Sequence, residues 1–123
     1  MPEVVSFTIV DAKNDKDLVV ITSREYSFEF TPDARLSLRA NVDVGDTIQY
    51  MEFSVNGNYY VTDSRPPYSL GDNSGDYSGI AMLTSEQPVT LFAEPFRNGG
   101  AGIAKDVILY PTLCSGQCPN AIA

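Results

Sequence analysis

The chain has no histidine and no tryptophan. The first absence removes the side chain whose unperturbed pKa lies nearest neutrality and the commonest transition-metal ligand. Serine triads, cysteine–histidine dyads and histidine-based zinc sites are therefore excluded within this chain. The second leaves any stacking against a sugar ring to tyrosine. Only two cysteines occur, Cys114 and Cys118, in Cys114-Ser-Gly-Gln-Cys-Pro. Two thiols are too few for a zinc site, and the spacing is not the C-x-x-C of a redox pair. In an exported protein they either close a small local loop or pair with a neighbouring domain. No run of 18 apolar residues exists, so no transmembrane helix and no membrane insertion are expected. The first residues, Met1-Pro-Glu-Val-Val, lack the basic region and apolar run of a secretion leader. An extracellular location would make this chain a piece of a longer exported precursor.

Positive charge is also scarce: 8 Lys and Arg face 16 Asp and Glu, for a net charge of −8. Such a surface repels phosphate backbones and anionic membranes, so nucleic acid is not an expected partner. The acidity serves solubility or, more specifically, divalent-cation binding by loop carboxylates.

What is present is a run of short alternating segments. A length of 123 residues with 43% hydrophobic content suits one domain with its own core. Val4 to Val10 alternates around Val5, Phe7 and Ile9. Leu18 to Thr22 is a short apolar run, and Tyr26, Phe28 and Phe30 alternate with Ser27 and Glu29 before Pro32. Leu36, Leu38 and Ala40 follow, with Arg35 and Arg39 sharing the other face and placed to pair with Glu29 or acids of a neighbouring strand. Val44-Gly-Asp reads as a turn, and Thr47 to Val55 as the longest strand. Asn56-Gly57 is a strong turn signal, because both residues tolerate positive φ. Tyr59 to Thr62 returns, Asp63 to Ser78 reads as a long ordered loop, and Ile80 with Met82 marks another short strand. In Val89 to Phe96, Val89, Leu91 and Ala93 alternate against Thr90, Phe92 and Glu94. Asn98-Gly-Gly-Ala-Gly102 is a turn, and Ala104 to Tyr110 closes the sheet at Pro111. Seven to nine short strands with turn signals at this spacing predict an all-β, two-sheet antiparallel sandwich. Residues 1–111 would form it, with 112–123 as a cysteine-containing tail or linker.

Met51-Glu-Phe-Ser-Val-Asn-Gly, Thr62-Asp, Pro67-Tyr-Ser-Leu, Gly75-Asp-Tyr and Val89-Thr-Leu-Phe-Ala-Glu-Pro-Phe together resemble bacterial immunoglobulin-like modules. Ser6-Phe-Thr-Ile-Val-Asp-Ala and Asn98-Gly-Gly-Ala-Gly-Ile-Ala extend the likeness. It is to secreted modules of large bacterial and algal surface proteins and polysaccharide-active enzymes. The resemblance implies an Ig-like or fibronectin-III-like sandwich in an extracellular or cell-surface protein, serving as a spacer, an adhesion unit or a carbohydrate-binding module. The tail from Cys114 has no counterpart in that pattern.

Candidate ligand-binding residues are Tyr59, Tyr60, Arg65, Asn73 and Tyr77. Exposed tyrosine faces stack on sugars while neighbouring polar groups take hydroxyl hydrogen bonds. Adjacent Tyr59 and Tyr60 point to opposite faces of a regular strand, so one is expected in the core. Tyr68 reads as a core aromatic tucked under the sheet. The calcium candidates are Asp63, Asp72 and Asp76, with Asx-turns ordering the loop as the plainer alternative. A second acidic cluster, Asp11, Asp15 and Asp17, holds Lys13 and Lys16 and reads as a solvated loop. Accidental carboxylate pairs are inevitable among so many acids, and no enzyme is expected. The leading expectation is a non-catalytic extracellular module that binds a polysaccharide or glycan, with Ca²⁺ assisting. The alternative is a spacer or adhesion repeat contacting neighbouring domains or protein partners.

Overall fold

The computed structural model describes residues 2–43, 48–73, 76–77, 79–98 and 100–123, with the backbone alone at 72, 73, 76 and 77. The strands are β1 (Val4–Asp11), β2 (Lys16–Ile21), β3 (Glu25–Phe30), β4 (Leu36–Val42), β5 (Tyr50–Val55), β6 (Asn58–Asp63), β7 (Asp72–Asn73), β8 (Asp76–Tyr77), β9 (Val89–Arg97), β10 (Gly100–Ala101) and β11 (Lys105–Leu113). They form a small sheet in the order β2-β1-β4 and a large one in the order β3-β11-β9-β5-β6, with β10 beside β9, while β7 and β8 pair with each other. This is an Ig/fibronectin-III-like β-sandwich. Among the described residues, the named strands pair antiparallel except β3 with β11.

The two sheets share one core. Phe7, Ile9, Leu36 and Leu38 of the small sheet and Met51, Phe53, Leu91, Val107 and Leu109 of the large one are fully buried in a single cluster. Each such side chain contributes about 1.5–3 kcal/mol of burial. Period-two alternation does the sorting. On β9, Val89, Leu91 and Ala93 face inward while Thr90, Phe92 and Glu94 face out. No helix of the described residues is long and apolar enough to cross a membrane.

The β5–β6 hairpin turns at Asn56 and Gly57, with φ of 51° and 85°. Positive φ at both central residues matches the right-handed twist of the flanking strands. The Asn56 side-chain oxygen accepts the Thr90 amide at 2.9 Å, which anchors this turn to β9.

Several expectations change. Thr47–Val55 is not the longest strand: β5 has 6 residues, and β9 and β11 have 9 each. Val5, expected in phase with Phe7 and Ile9, is exposed, because the β1 register shifts between Val4 and Ser6. Ile80 and Met82 do not form a strand: Ala81–Thr84 is a 3₁₀ turn, and the Leu83 amide donates to the Ile80 carbonyl at 3.1 Å. Ile80 and Leu83, three apart, thereby drop onto the same buried side. Pro111 does not stop β11. The pairing with β9 ends at Leu109, so the proline's missing donor falls where β11 has only β3 beside it. Arg35 precedes β4 rather than lying on it, and Arg39 pairs with Asp17. The expected turn at Val44 falls outside the described residues.

Cys114 and Cys118 form a disulfide with Cα atoms 5.9 Å apart. Beyond it the chain folds back along the free edge of β3. The Ile122 amide donates to the Glu29 carbonyl and the Thr31 amide to the Ala123 carbonyl, both at 2.9 Å. Ile122 and Ala123 also pack against the core. A sheet edge that would otherwise display unpaired amides is covered by the chain itself.

Candidate functional site: the outer face of the large sheet

The outward residues of β6, β5, β9 and β11 fall into rows set by strand register. One row runs Tyr59–Ser54–Phe92–Asp106. The next runs Thr62–Glu52–Glu94, and the third pairs Tyr50 with Phe96. Two aromatic rows thus flank a carboxylate row. With strands ~4.8 Å apart and ~3.3 Å per residue, Tyr59 and Phe92 lie about 10 Å apart across the sheet and Phe92 and Phe96 about 13 Å apart along β9.

Tyr59 is 64% exposed and Phe92 38%. Tyr50 and Phe96 stack with ring centroids 4.8 Å apart and planes 12° from parallel. That pairing fixes both rings, so the surface they present is already ordered. The Tyr59 hydroxyl lies 2.8 Å from the Thr62 hydroxyl, tying the first row to the second along β6. On the far side Arg24 pairs with Asp106 at 3.3 Å. Nearby, the Tyr110 hydroxyl donates to Glu25 at 2.8 Å. That bond raises the phenol's pKa, since ionising it would set two negative oxygens together.

Glu52 and Glu94 are direct cross-strand partners, both half-buried. Like charges so placed oppose each other and destabilise a sheet. All eight Lys and Arg lie among the described residues, and none forms an ion pair with either glutamate.

Of the expected site residues, Tyr59 sits on this face. Tyr60 is also exposed, at 43%, so neither tyrosine enters the core. The reason is a β-bulge: Phe53 pairs with Val61 and Ser54 with Tyr59, leaving Tyr60 as the extra residue and breaking strict alternation. Tyr68 packs against the core, and burial, with Asp63 close by, raises its phenol pKa. Arg65 lies exposed in the loop after β6. Asp63 orders that loop: its two carboxylate oxygens accept the Arg65 amide at 3.1 Å and the Ser69 amide at 3.0 Å. Asn73, Tyr77, Asp72 and Asp76 lie on the β7–β8 hairpin, and their side chains fall outside the described residues. Among the described residues no three acidic or thiol side chains converge as a metal site. In the cluster of Asp11, Asp15 and Asp17, Asp11 accepts the Lys13 and Asn14 amides and caps its turn.

Phe92, Phe96, Tyr50, Glu52 and Glu94 were not among the sequence candidates. Their signal was present in β9, where Phe92 and Phe96 occupy the phase opposite to Val89, Leu91 and Ala93. Large aromatics on the solvent phase of a strand have no role in the core. A separate open groove of about 680 Å³ lies at one end of the sandwich beside Lys13, Asp33 and Arg35. It has no aromatic lining, and Lys13 is paired with Asp33 at 3.8 Å.

No family model matches the chain, and no curated protein matches it. Among solved structures it is similar to the fibronectin(III)-like modules of Clostridium thermocellum CbhA, with 14% identity and a TM-score of 0.49, over 76% of this chain and 95% of that one. The fold assignment rests on the strand order and shared core described above.

Proposed function

We propose that this domain is a non-catalytic binding module of a larger secreted or surface protein, and that it holds a polysaccharide on the outer face of the large sheet. The observation that carries this reading is the pair of aromatic rows flanking Glu52 and Glu94. Aromatic faces take the C–H surface of a sugar ring, and carboxylates accept its hydroxyls. An open sheet face suits a chain ligand that runs past it. Binding to a panel of soluble polysaccharides, followed by affinity electrophoresis, tests it. Phe92→Ala and Tyr59→Ala should each weaken binding by about 3- to 10-fold. Absence of binding to every polymer would overturn the reading.

Calcium assistance through Asp63, Asp72 and Asp76 is tested separately. A Tm raised by millimolar Ca²⁺ and restored by EDTA supports it, and identical melts remove it. A second reading, a spacer or adhesion repeat, draws on Val5 and Ile103, which are 40% and 46% exposed. The Val4 amide donates to the Ile103 carbonyl at 3.0 Å, so the backbone segments that carry Val5 and Ile103 run side by side.

A further inference from the structure

We infer that the polysaccharide held on the large sheet carries protonated amino groups, which sit over Glu52 and Glu94 while its ring faces lie on the flanking aromatics. This rests on the carbohydrate-binding reading above and specifies its chemistry.

Three observations carry it. Glu52 and Glu94 are direct cross-strand partners on the adjoining strands β5 and β9, and both project from the outer face. The chain supplies them no cation, although Asp17, Asp33 and Asp106 each have one. The rows on either side are aromatic, and a ring face attracts an ammonium group as well as stacking on a sugar. A neutral glycan would leave the carboxylate repulsion in place. A polyuronate would add a third negative charge to it. A polymer of amino sugars supplies the missing cations and keeps the ring faces for Phe92 and Tyr59. A divalent ion is a poorer occupant, because Ca²⁺ seeks six to eight oxygens and the row offers two carboxylates and Thr62.

The test compares four polymers against the whole chain, at a mildly acidic pH where amines are charged: polyglucosamine, its N-acetylated form, a neutral glucan and polygalacturonate. Each is run with Ca²⁺ and with EDTA. Polyglucosamine should bind best, weaken as salt rises, and lose about tenfold in affinity to the E52Q/E94Q double variant. That variant should melt no lower than wild type, which keeps loss of binding distinct from loss of fold. Equal binding of the acetylated or neutral polymer, unaffected by E52Q/E94Q, would overturn this inference and leave the carbohydrate reading standing. Binding of polyglucosamine that vanishes in EDTA would also overturn it, by giving the carboxylates to a metal. No binding by any of the four would overturn it together with that reading.

Discussion

The outer faces of the two sheets treat their polar groups in opposite ways. On the small sheet the polar side chains satisfy one another. Asn41 donates to the Ser6 and Thr8 hydroxyls at 3.0 and 2.9 Å, and its carbonyl oxygen accepts from Arg39 at 2.9 Å. Arg39 then grips both oxygens of Asp17, at 3.0 and 2.9 Å. Thr8 is 1% exposed beneath this network. On the large sheet Glu52 and Glu94 face each other with no cation, between aromatic rings open to water. A network whose polar groups are spent on one another acts mainly on the fold. A face with uncompensated charge beside exposed rings gives up stability for contacts it does not make within the chain. The first face is therefore structural and the second is the one to examine for recognition.

Several substitutions break or sharpen that contrast. Asn41→Leu has the largest expected effect, because it strands two hydroxyls and an Arg39 donor. It should cost about 1–3 kcal/mol in urea unfolding. A loss below about 0.5 kcal/mol would mean the network does not hold the small sheet. Arg39→Ala should cost about 1 kcal/mol, mostly from the unpaired Asn41 oxygen, since the Asp17 side chain is 56% exposed and its ion pair is screened.

The same substitution has a pH signature. Hydrogen bonding from Arg39 lowers the Asp17 pKa below its ordinary 3.8, against the opposing effect of partial burial. A carboxylate lowered on folding contributes stability that is complete above the unfolded pKa and disappears as pH falls through the folded one. The gap between wild type and Arg39→Ala should therefore narrow below about pH 3.8, as read from urea midpoints across an acid series.

Phe92→Ala, although it removes a whole ring, should cost only about 1 kcal/mol of stability, well short of a fully buried ring, since the side chain is 38% exposed. Its effect should appear in polysaccharide affinity. A stability loss above about 3 kcal/mol, the range of a buried phenylalanine, would place Phe92 with the core and undo the contrast. The smallest effect is Glu52→Gln, which relieves the repulsion with Glu94 and should raise stability by a few tenths of a kcal/mol. A fall in Tm would show that Glu52 already has a stabilising partner.

Much of this architecture was legible in the chain. The alternations around Phe7, Leu38 and Leu91 marked inward positions. The turn at Asn56-Gly57 could be located by eye, because positive φ is a property of single residues. Tyr59 was legible as a candidate because aromatic exposure on a short return strand is a local pattern. The exposure of Tyr60 was not, because a bulge is a relation between two strands and leaves no mark in one of them. The 3₁₀ turn at Ala81–Thr84 was not legible, because two apolar residues, Ile80 and Met82, are too few to separate a period of two from one of three.

The residues by themselves determined the β class, the inward phase of strands such as β4 and β9, and the sharp turn after β5. These follow from backbone sterics and from the partition of each side chain between water and a core. Only the tertiary structure decided which strand lies beside which. It set Glu52 opposite Glu94, placed Tyr59 in one row with Phe92, ran β3 parallel to β11 and laid Ile122 along β3. Register between distant segments is fixed by the simultaneous fit of all strands around one core, and that fit belongs to no segment alone.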